Sequence, residues 1–425
     1  MKIYIETFGC TFNQADSEIM AGLLQEKGHQ LVDKPEDASI IIINSCYVKQ
    51  PTEQKVINRL INLQREFPQK KLIIGGCMVE IDQAKMEKIA PEAGWIGPHQ
   101  IKKIPEVVKS FLDGNIPRLT GAESVCKVSL PKKRASKFTD IIQICEGCDG
   151  LCSYCCTRIA RGNLHSYPLD LIKEEALKAV EEGCVELQLT AQDTASYGKD
   201  TGTSLSELIN YVTSIRGDFR VRIGMMNPKS VLEDVDKLLK AFNSEKVYKF
   251  LHLPLQSGDN QVLLDMNRCH TVEEFKFIVS RFREEIPDIS LATDIIVGYP
   301  TEDEQAFKNT LKTIEKVKPD FLHISKYHHR PGSLSSNLKE IEHTEMKKRS
   351  KVLNDQKTRI AIQKNEALLD NELKVLITAE GIKGGFTGRT NSYKTVVVDD
   401  AVLGSSIMVK ITEAKATYLK GFPIQ

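Results

Sequence analysis

Three cysteines follow one another closely in the run ICEGCDGLCSYCC, where Cys148, Cys152 and Cys155 are spaced C-x3-C-x2-C. Three thiolates from one loop can hold an iron–sulfur cluster, and a four-iron cluster normally takes four. Three ligands leave one iron open to bind something that is not protein. With 11 Cys among 425 residues this spacing arises by chance roughly 0.3 times per chain, so its surroundings must carry the reading. A second set is dispersed. Cys10, Cys46 and Cys77 each follow directly on an apolar, β-branched run. In open parallel α/β sheets, sites form beyond the carboxyl ends of the strands. Adjacent strands would bring these three thiols to one edge. A single buried cysteine usually behaves as a small hydrophobe, but three in equivalent positions point to a second three-thiolate site.

The elements that must position these thiols are legible in the patterning. Residues 1–115 repeat strand then helix, which predicts a doubly wound parallel sheet. KIYIETFG, SIIIINS and KLIIGG read as strands. Asn13–Lys27, Thr52–Phe67, Ile81–Ala90 and Pro105–Leu112 read as helices. Residues 116–138 form a basic linker. Within it KVSLPKKRASK carries five positive charges and no negative one, which fits a solvated connection or a strip that meets phosphates.

Residues 139–342 give six strands, at IIQIC, Val185–Gln192, Phe219–Met226, Phe250–Gln256, Ile289–Gly298 and Phe321–Tyr327. Helices are predicted between them at Leu169–Glu182, Leu205–Ile215, Val231–Phe242, Val272–Glu285 and Glu304–Val317. Six β/α units fit a partial barrel with its site at the carboxyl ends of the strands. A polar helical connector follows over 343–370. Residues 371–425 read as short strands with Gly-rich turns, a small β-barrel of a kind that often binds RNA.

At 425 residues the chain is long enough for two or three domains. Its composition, 41% hydrophobic and 27% charged, is that of a globular protein. No apolar run reaches a bilayer-spanning length, and MKIYIETFGC begins as a strand and not as a signal peptide. The expectation is a cytoplasmic protein, a monomer without a membrane partner. There clustered cysteines serve as ligands and not as disulfides. A net charge of +1 gives no general attraction to nucleic acid, so RNA would have to meet local patches.

With these motifs in place, EGCDGLCSYCCTRIARG resembles the cluster loop of radical S-adenosylmethionine (SAM) enzymes, with Tyr154 at the aromatic position before the last cysteine. TFGCTFNQADSE, INSC, GGC, LTAQDTASYG, RIGMMNP, HLPLQSGDNQVL and TDIIVGYPTEDEQAF resemble motifs of the radical SAM methylthiotransferases, and the C-terminal barrel resembles a TRAM domain. CSYCCTRIARGNLHSY is similar to the archaeal and eukaryotic branch that acts on N6-threonylcarbamoyladenosine in tRNA. In that branch a Lys usually stands where this chain has Arg158. The resemblance implies two [4Fe-4S] clusters, held by Cys148, Cys152 and Cys155 and by Cys10, Cys46 and Cys77. It implies SAM as both radical source and methyl donor, with the second cluster handling sulfur. The expected partners are the anticodon stem-loop of tRNA, an electron donor and a sulfur source. Two alternatives are methylthiolation of a ribosomal-protein aspartate and a non-catalytic iron–sulfur sensor that binds RNA.

Further candidates follow from position. Gln192 and Asp193 end the second barrel strand and could meet SAM or cap a helix. Arg222, on the third strand, could bind a carboxylate bidentately or form a structural ion pair. Gln256 and Ser257 close the fourth strand. Arg158 and Arg161 follow the cluster loop and could meet SAM or phosphate. Asn13 could donate to a cluster sulfide. In the C-terminal barrel Lys374, Lys383, Arg389, Lys394, Lys410, Lys415 and Lys420 could meet RNA, and Phe386 and Tyr393 could either stack on bases or belong to the core. Cys126, Cys145, Cys156, Cys184 and Cys269 are left without a role, as are His328 and His329.

Overall fold

The computed structural model describes residues 1–123 and 125–424. The first unit is built from β1 (Lys2–Thr7), α1 (Thr11–Glu26), β2 (Gln30–Leu31), β3 (Ile40–Ser45), α2 (Gln50–Glu66), β4 (Lys71–Gly76), α3 (Met78–Ile81), α4 (Gln83–Ile89), β5 (Gly94–Ile96), α5 (Ile104–Leu112) and β6 (Arg118–Leu119). Its sheet is parallel, in the order β2-β1-β3-β4-β5-β6. All six residues of β3 are buried. Ile40 and Ile42 join one core under α1 and α5, while Ile41 and Ile43 join the other under α2. Each isoleucine buried in this way contributes about 1.5–3 kcal/mol. The two- and three-residue strands β2, β5 and β6 are too short to show a period in sequence. The helix expected over Ile81–Ala90 is two helices, because Asp82 leaves helical geometry and its side chain accepts from the Lys85 amide to cap α4.

The second unit contains β7 (Thr139–Gln143), β8 (Cys145–Glu146), α6 (Thr157–Arg161), β9 (His165–Ser166), α7 (Leu169–Glu181), β10 (Glu186–Thr190), α8 (Leu205–Thr213), β11 (Arg220–Ile223), α9 (Pro228–Leu232), α10 (Val235–Phe242), β12 (Phe250–His252), α11 (Asn260–Asp265), α12 (Val272–Glu285), β13 (Ser290–Val297), α13 (Glu304–Val317) and β14 (Phe321–Lys326). The strands β11-β10-β7 and β12-β13-β14 form two parallel three-stranded sheets. Val221 of β11 bridges Val247, just ahead of β12, and the Met226 amide donates to the His252 carbonyl. The six strands make a partial barrel, with β7 and β14 not paired to each other. Among the described residues no helix is long and apolar enough to cross a membrane.

Three of the five cations in segment 127–137 are taken up by ion pairs, while Lys133 and Lys137 are exposed. Lys127 is buried, with its ammonium 2.9 Å from Asp16 and 2.9 Å from Glu146. Lys132 pairs with Asp140 and Glu175, and Arg134 with Glu182. These cations tie the segment to both neighbouring units, because acids placed far away in sequence converge on it. The helix α14 (His343–Glu366) then leads to a closed barrel of β15 (Glu372–Glu380), β16 (Phe386–Thr390), β17 (Thr395–Val398), β18 (Ser406–Ala414) and β19 (Leu419–Ile424), in the order β15-β16-β17-β19-β18.

Candidate active site

The carboxyl ends of β1, β3 and β4 lie side by side, with Thr7 opposite Asn44 and Ser45 opposite Gly76. Cys10, Cys46 and Cys77 leave those ends. Gly9 has φ +113, and a β-carbon there would lie 2.5 Å from the Cys46 Cβ and 2.9 Å from its Sγ. Only glycine fits that approach. Asn13 is buried beneath. Its Nδ2 donates to the Phe8 and Ser45 carbonyls at 3.0 and 2.8 Å, and its Oδ1 accepts from Arg161 at 2.7 Å, beside the Cys77 thiol at 3.9 Å.

The second thiol set comes from the loop between β8 and α6. Cys148 Sγ accepts from the Gly150 amide at 3.2 Å, and Cys155 Sγ from the Thr157 amide at 3.3 Å. Cys152 Sγ receives the Arg268 guanidinium at 3.5 Å. Tyr154 packs with Met266, Tyr299 and Tyr327 and holds the loop down.

Both sets open onto one cavity of about 440 Å³. Its wall includes Cys10, Cys148, Cys152 and Cys155, with Gln192, Arg222, His252, Gln256 and Asp294 from the barrel. Cys46 and Cys77 are buried, close enough to Cys10 to feel its charge. Burial, with the neighbouring thiols, pushes Cys46 up to about 12 and Cys148 up to about 11. Three thiolates packed together need a cationic centre. The donors present therefore fit iron at both sites. Among the described residues no group of His, Cys, Asp and Glu closes on a single ion. A four-iron cluster is wider than an ion and takes its cysteines at separate corners.

The remaining candidates divide. Gln192 lines the cavity, and its Oε1 accepts from the Gly147 amide at 2.8 Å, bracing the cluster loop. Asp193 reaches the cavity wall, but its carboxylate is occupied by the Ala195 and Asn227 amides and the Ser230 hydroxyl. Gln256 has φ +73, a strained geometry for a residue with a side chain, and its buried Oε1 has no partner. Ser257 is fully buried and absent from the cavity wall. Its Oγ accepts from the Asp259 amide. Arg158 turns outward to Asn163.

Arg161 faces the N-terminal unit. It lies 2.7 Å from both Asp16 and Glu146 and over the Phe12 ring. Burial alone would raise the carboxyls of Asp16 and Glu146, but Lys127 and Arg161 hold both below the usual range.

In the C-terminal barrel Lys394 is buried against Asp320 at 2.7 Å, and Tyr393 is packed between Tyr248 and Phe250. Neither presents itself to RNA, and Phe386 packs on the barrel's own core. Cys145 and Cys156 are buried in the cores.

Sequence reasoning missed Arg268, which bridges Cys152, Asn227 and the Pro254 carbonyl. It is an isolated cation with no local pattern. The pair His252–Asp294, at 2.8 Å, was also missed. A charged residue inside the apolar run ISLATDIIVG was the signal available.

Three family models match the chain. Residues 2–97 match UPF0004, an uncharacterized protein family, residues 142–314 the radical SAM superfamily, and residues 371–424 the TRAM domain. Solved structures share the fold. The radical SAM methyltransferase TsrM from Kitasatospora setae, with cobalamin and a [4Fe-4S] cluster bound, has a TM-score of 0.59 at 12% identity over 79% of this chain and 77% of its own. The cobalamin-dependent SAM radical enzyme OxsB has a TM-score of 0.55 at 11% identity over 85% and 56%. Fold and thiol loop define a radical SAM enzyme that uses SAM and an iron–sulfur cluster.

The nearer relatives are more particular. A protein of Methanothermobacter thermautotrophicus, named a probable threonylcarbamoyladenosine tRNA methylthiotransferase, is 55% identical over 99% of both chains. The Homo sapiens threonylcarbamoyladenosine tRNA methylthiotransferase is 34% identical over 100% of this chain and 74% of its own. The chain belongs to the threonylcarbamoyladenosine tRNA methylthiotransferase family.

Proposed function

We propose that this protein replaces the C2 hydrogen of N6-threonylcarbamoyladenosine, at tRNA position 37, with a methylthio group. It would use two [4Fe-4S] clusters, with SAM as radical source and methyl donor. The observation that carries the reading is the single cavity walled by Cys10 and by Cys148, Cys152 and Cys155. Two sites each short of one ligand, facing one space, suit a reaction that needs a radical and a sulfur at one carbon. When bound, the loop cluster supplies the electron that cleaves SAM to a 5′-deoxyadenosyl radical, and the other cluster supplies a place for sulfur.

The chain's own groups do the positioning. Gly150 and Thr157 donate amide hydrogens to the cluster cysteines, and Arg268 adds a cation at Cys152, all of which ease reduction. Gln192 fixes the loop, and the apolar collar of Tyr154, Tyr299 and Tyr327 limits water near the radical. An electron donor and a sulfur source are required from outside, and we read the working form as a monomer.

The RNA face is carried by β15, β18 and β19. Lys374 pairs with Met408, and Lys410 with Phe422, on the outer surface. Phe422 is 50% exposed, so an aromatic ring stands beside the Lys410 cation as a stacking platform. The test is nucleoside analysis of cells lacking the protein, joined to iron counts of two variants. Cys148→Ala should lose roughly half the iron and all SAM cleavage. Cys46→Ala should lose the other half and retain some cleavage. Persistence of the methylthio nucleoside in those cells would overturn the reading.

A further inference from the structure

At the floor of the cavity Arg222 projects from β11 and has no hydrogen bond or ion pair with any described residue. Its guanidinium carbon stands 5.4 Å from the ring centre of Phe250 and 5.4 Å from that of Tyr393. Phe250 opens β12. Tyr393 comes from the turn between β16 and β17, so the C-terminal barrel braces from behind a residue that lines the cavity. Tyr393 is itself fixed. Its hydroxyl donates to Glu186 at 3.1 Å, its ring meets Tyr248 at 4.8 Å, and the Asn391 carbonyl next to it accepts from the Lys249 amide at 2.8 Å. Glu186, the nearby acid, is engaged by Tyr248, Tyr393 and Gln188.

A guanidinium held against two rings is oriented but not neutralised. The two ring contacts leave the planar fork open for a carboxylate. Two carboxylates belong to the proposed reaction, SAM's and the substrate's. SAM's methionyl end must lie at the cluster rim, where Arg268 joins Cys152 to Asn227. Arg222 lies within β11 and stacks on the first residue of β12, whereas Asn227 stands four residues beyond the end of β11, so Phe250 and Tyr393 hold the guanidinium deeper than that rim. We propose that Arg222 receives the carboxylate of the substrate's threonylcarbamoyl substituent, with Tyr393 as its positioning residue. This rests on the function proposed above. Between floor and rim, His252 and Asp294 offer polar contacts to the linking urea.

The test compares anticodon stem-loops bearing the free acid with the same RNA as its methyl ester. Wild type should favour the acid in kcat/KM by at least about tenfold. Arg222→Gln should bring that ratio close to one. Tyr393→Leu should lower it, while Tyr393→Phe, which keeps the ring, should hold it. Iron content of each variant reports intact folding. Three results overturn the inference. They are equal use of acid and ester by wild type, an unchanged ratio in Arg222→Gln, and a SAM affinity reduced as much as the ratio, which would assign the guanidinium to SAM. Absence of methylthio product from wild type on the acid RNA would instead sink the function itself.

Discussion

The guanidinium of Arg161, on the helix that follows the barrel's cluster loop, lies 2.7 Å from the carboxylate of Asp16 in the N-terminal unit. The same guanidinium donates to Asn13, beside the Cys77 thiol. One cation thus joins the two thiol sites. Arg161→Met leaves Asp16 and Glu146 sharing only Lys127, and should cost about 3–5 kcal/mol. A fall in Tm together with loss of the N-terminal cluster's iron is the expected result. An unchanged Tm would contradict it.

Glu18 is buried against the Ala135 amide, and burial pushes its carboxyl up to about 7. Its ordinary value is 4.5. Folding therefore holds an extra proton between these values, and stability should fall as pH rises through that window. Above it the cost is about 3 kcal/mol. Glu18→Gln keeps the acceptor for Ala135 and removes the charge. Denaturant melts should show the variant stabilised at pH 8 by most of that amount, and nearly matched to wild type at pH 4.5.

Gly9→Ala places a methyl group inside the van der Waals envelope of Cys46. The purified variant should carry roughly half the iron and sulfide of wild type, all of it at the barrel loop. Full loading would show that the close approach is not needed for the N-terminal site.

Lys410 stands opposite the exposed Phe422, and Lys374 opposite Met408, on the outer face of the C-terminal barrel. Replacing both by Ala should weaken RNA binding at low salt and reduce the slope of log K against log salt by about 2. Fluorescence anisotropy with an anticodon stem-loop measures both. Lys394→Ala should leave the slope alone and lower Tm, since its partner is Asp320.

Both three-cysteine sets and the order of the three folds were legible because each rests on a local signal. Loop spacing gave one set, and strand ends gave the other. Lys127, Lys394 and Tyr393 were misread for the opposite reason. Their partners Asp16, Asp320 and Glu186 are 111, 74 and 207 residues away or come from another unit, and a basic run looks the same whether solvated or paired. Arg268 was invisible because only the fold carries it to Cys152. Gln256 gave no sign of its strained backbone, since glutamine is an unusual choice for positive φ.

The segment once read as a linker bears on motion. Parting the N-terminal unit from the barrel would separate Asp16 from Lys127 and Arg161. Both pairs of Asp16 would have to break before this joint opened. A second clasp, Arg330 to Glu53, holds the other side. Among the described residues, clasps on both sides tie the two thiol sites together, and the body that must travel in and out of the gap between them is the substrate.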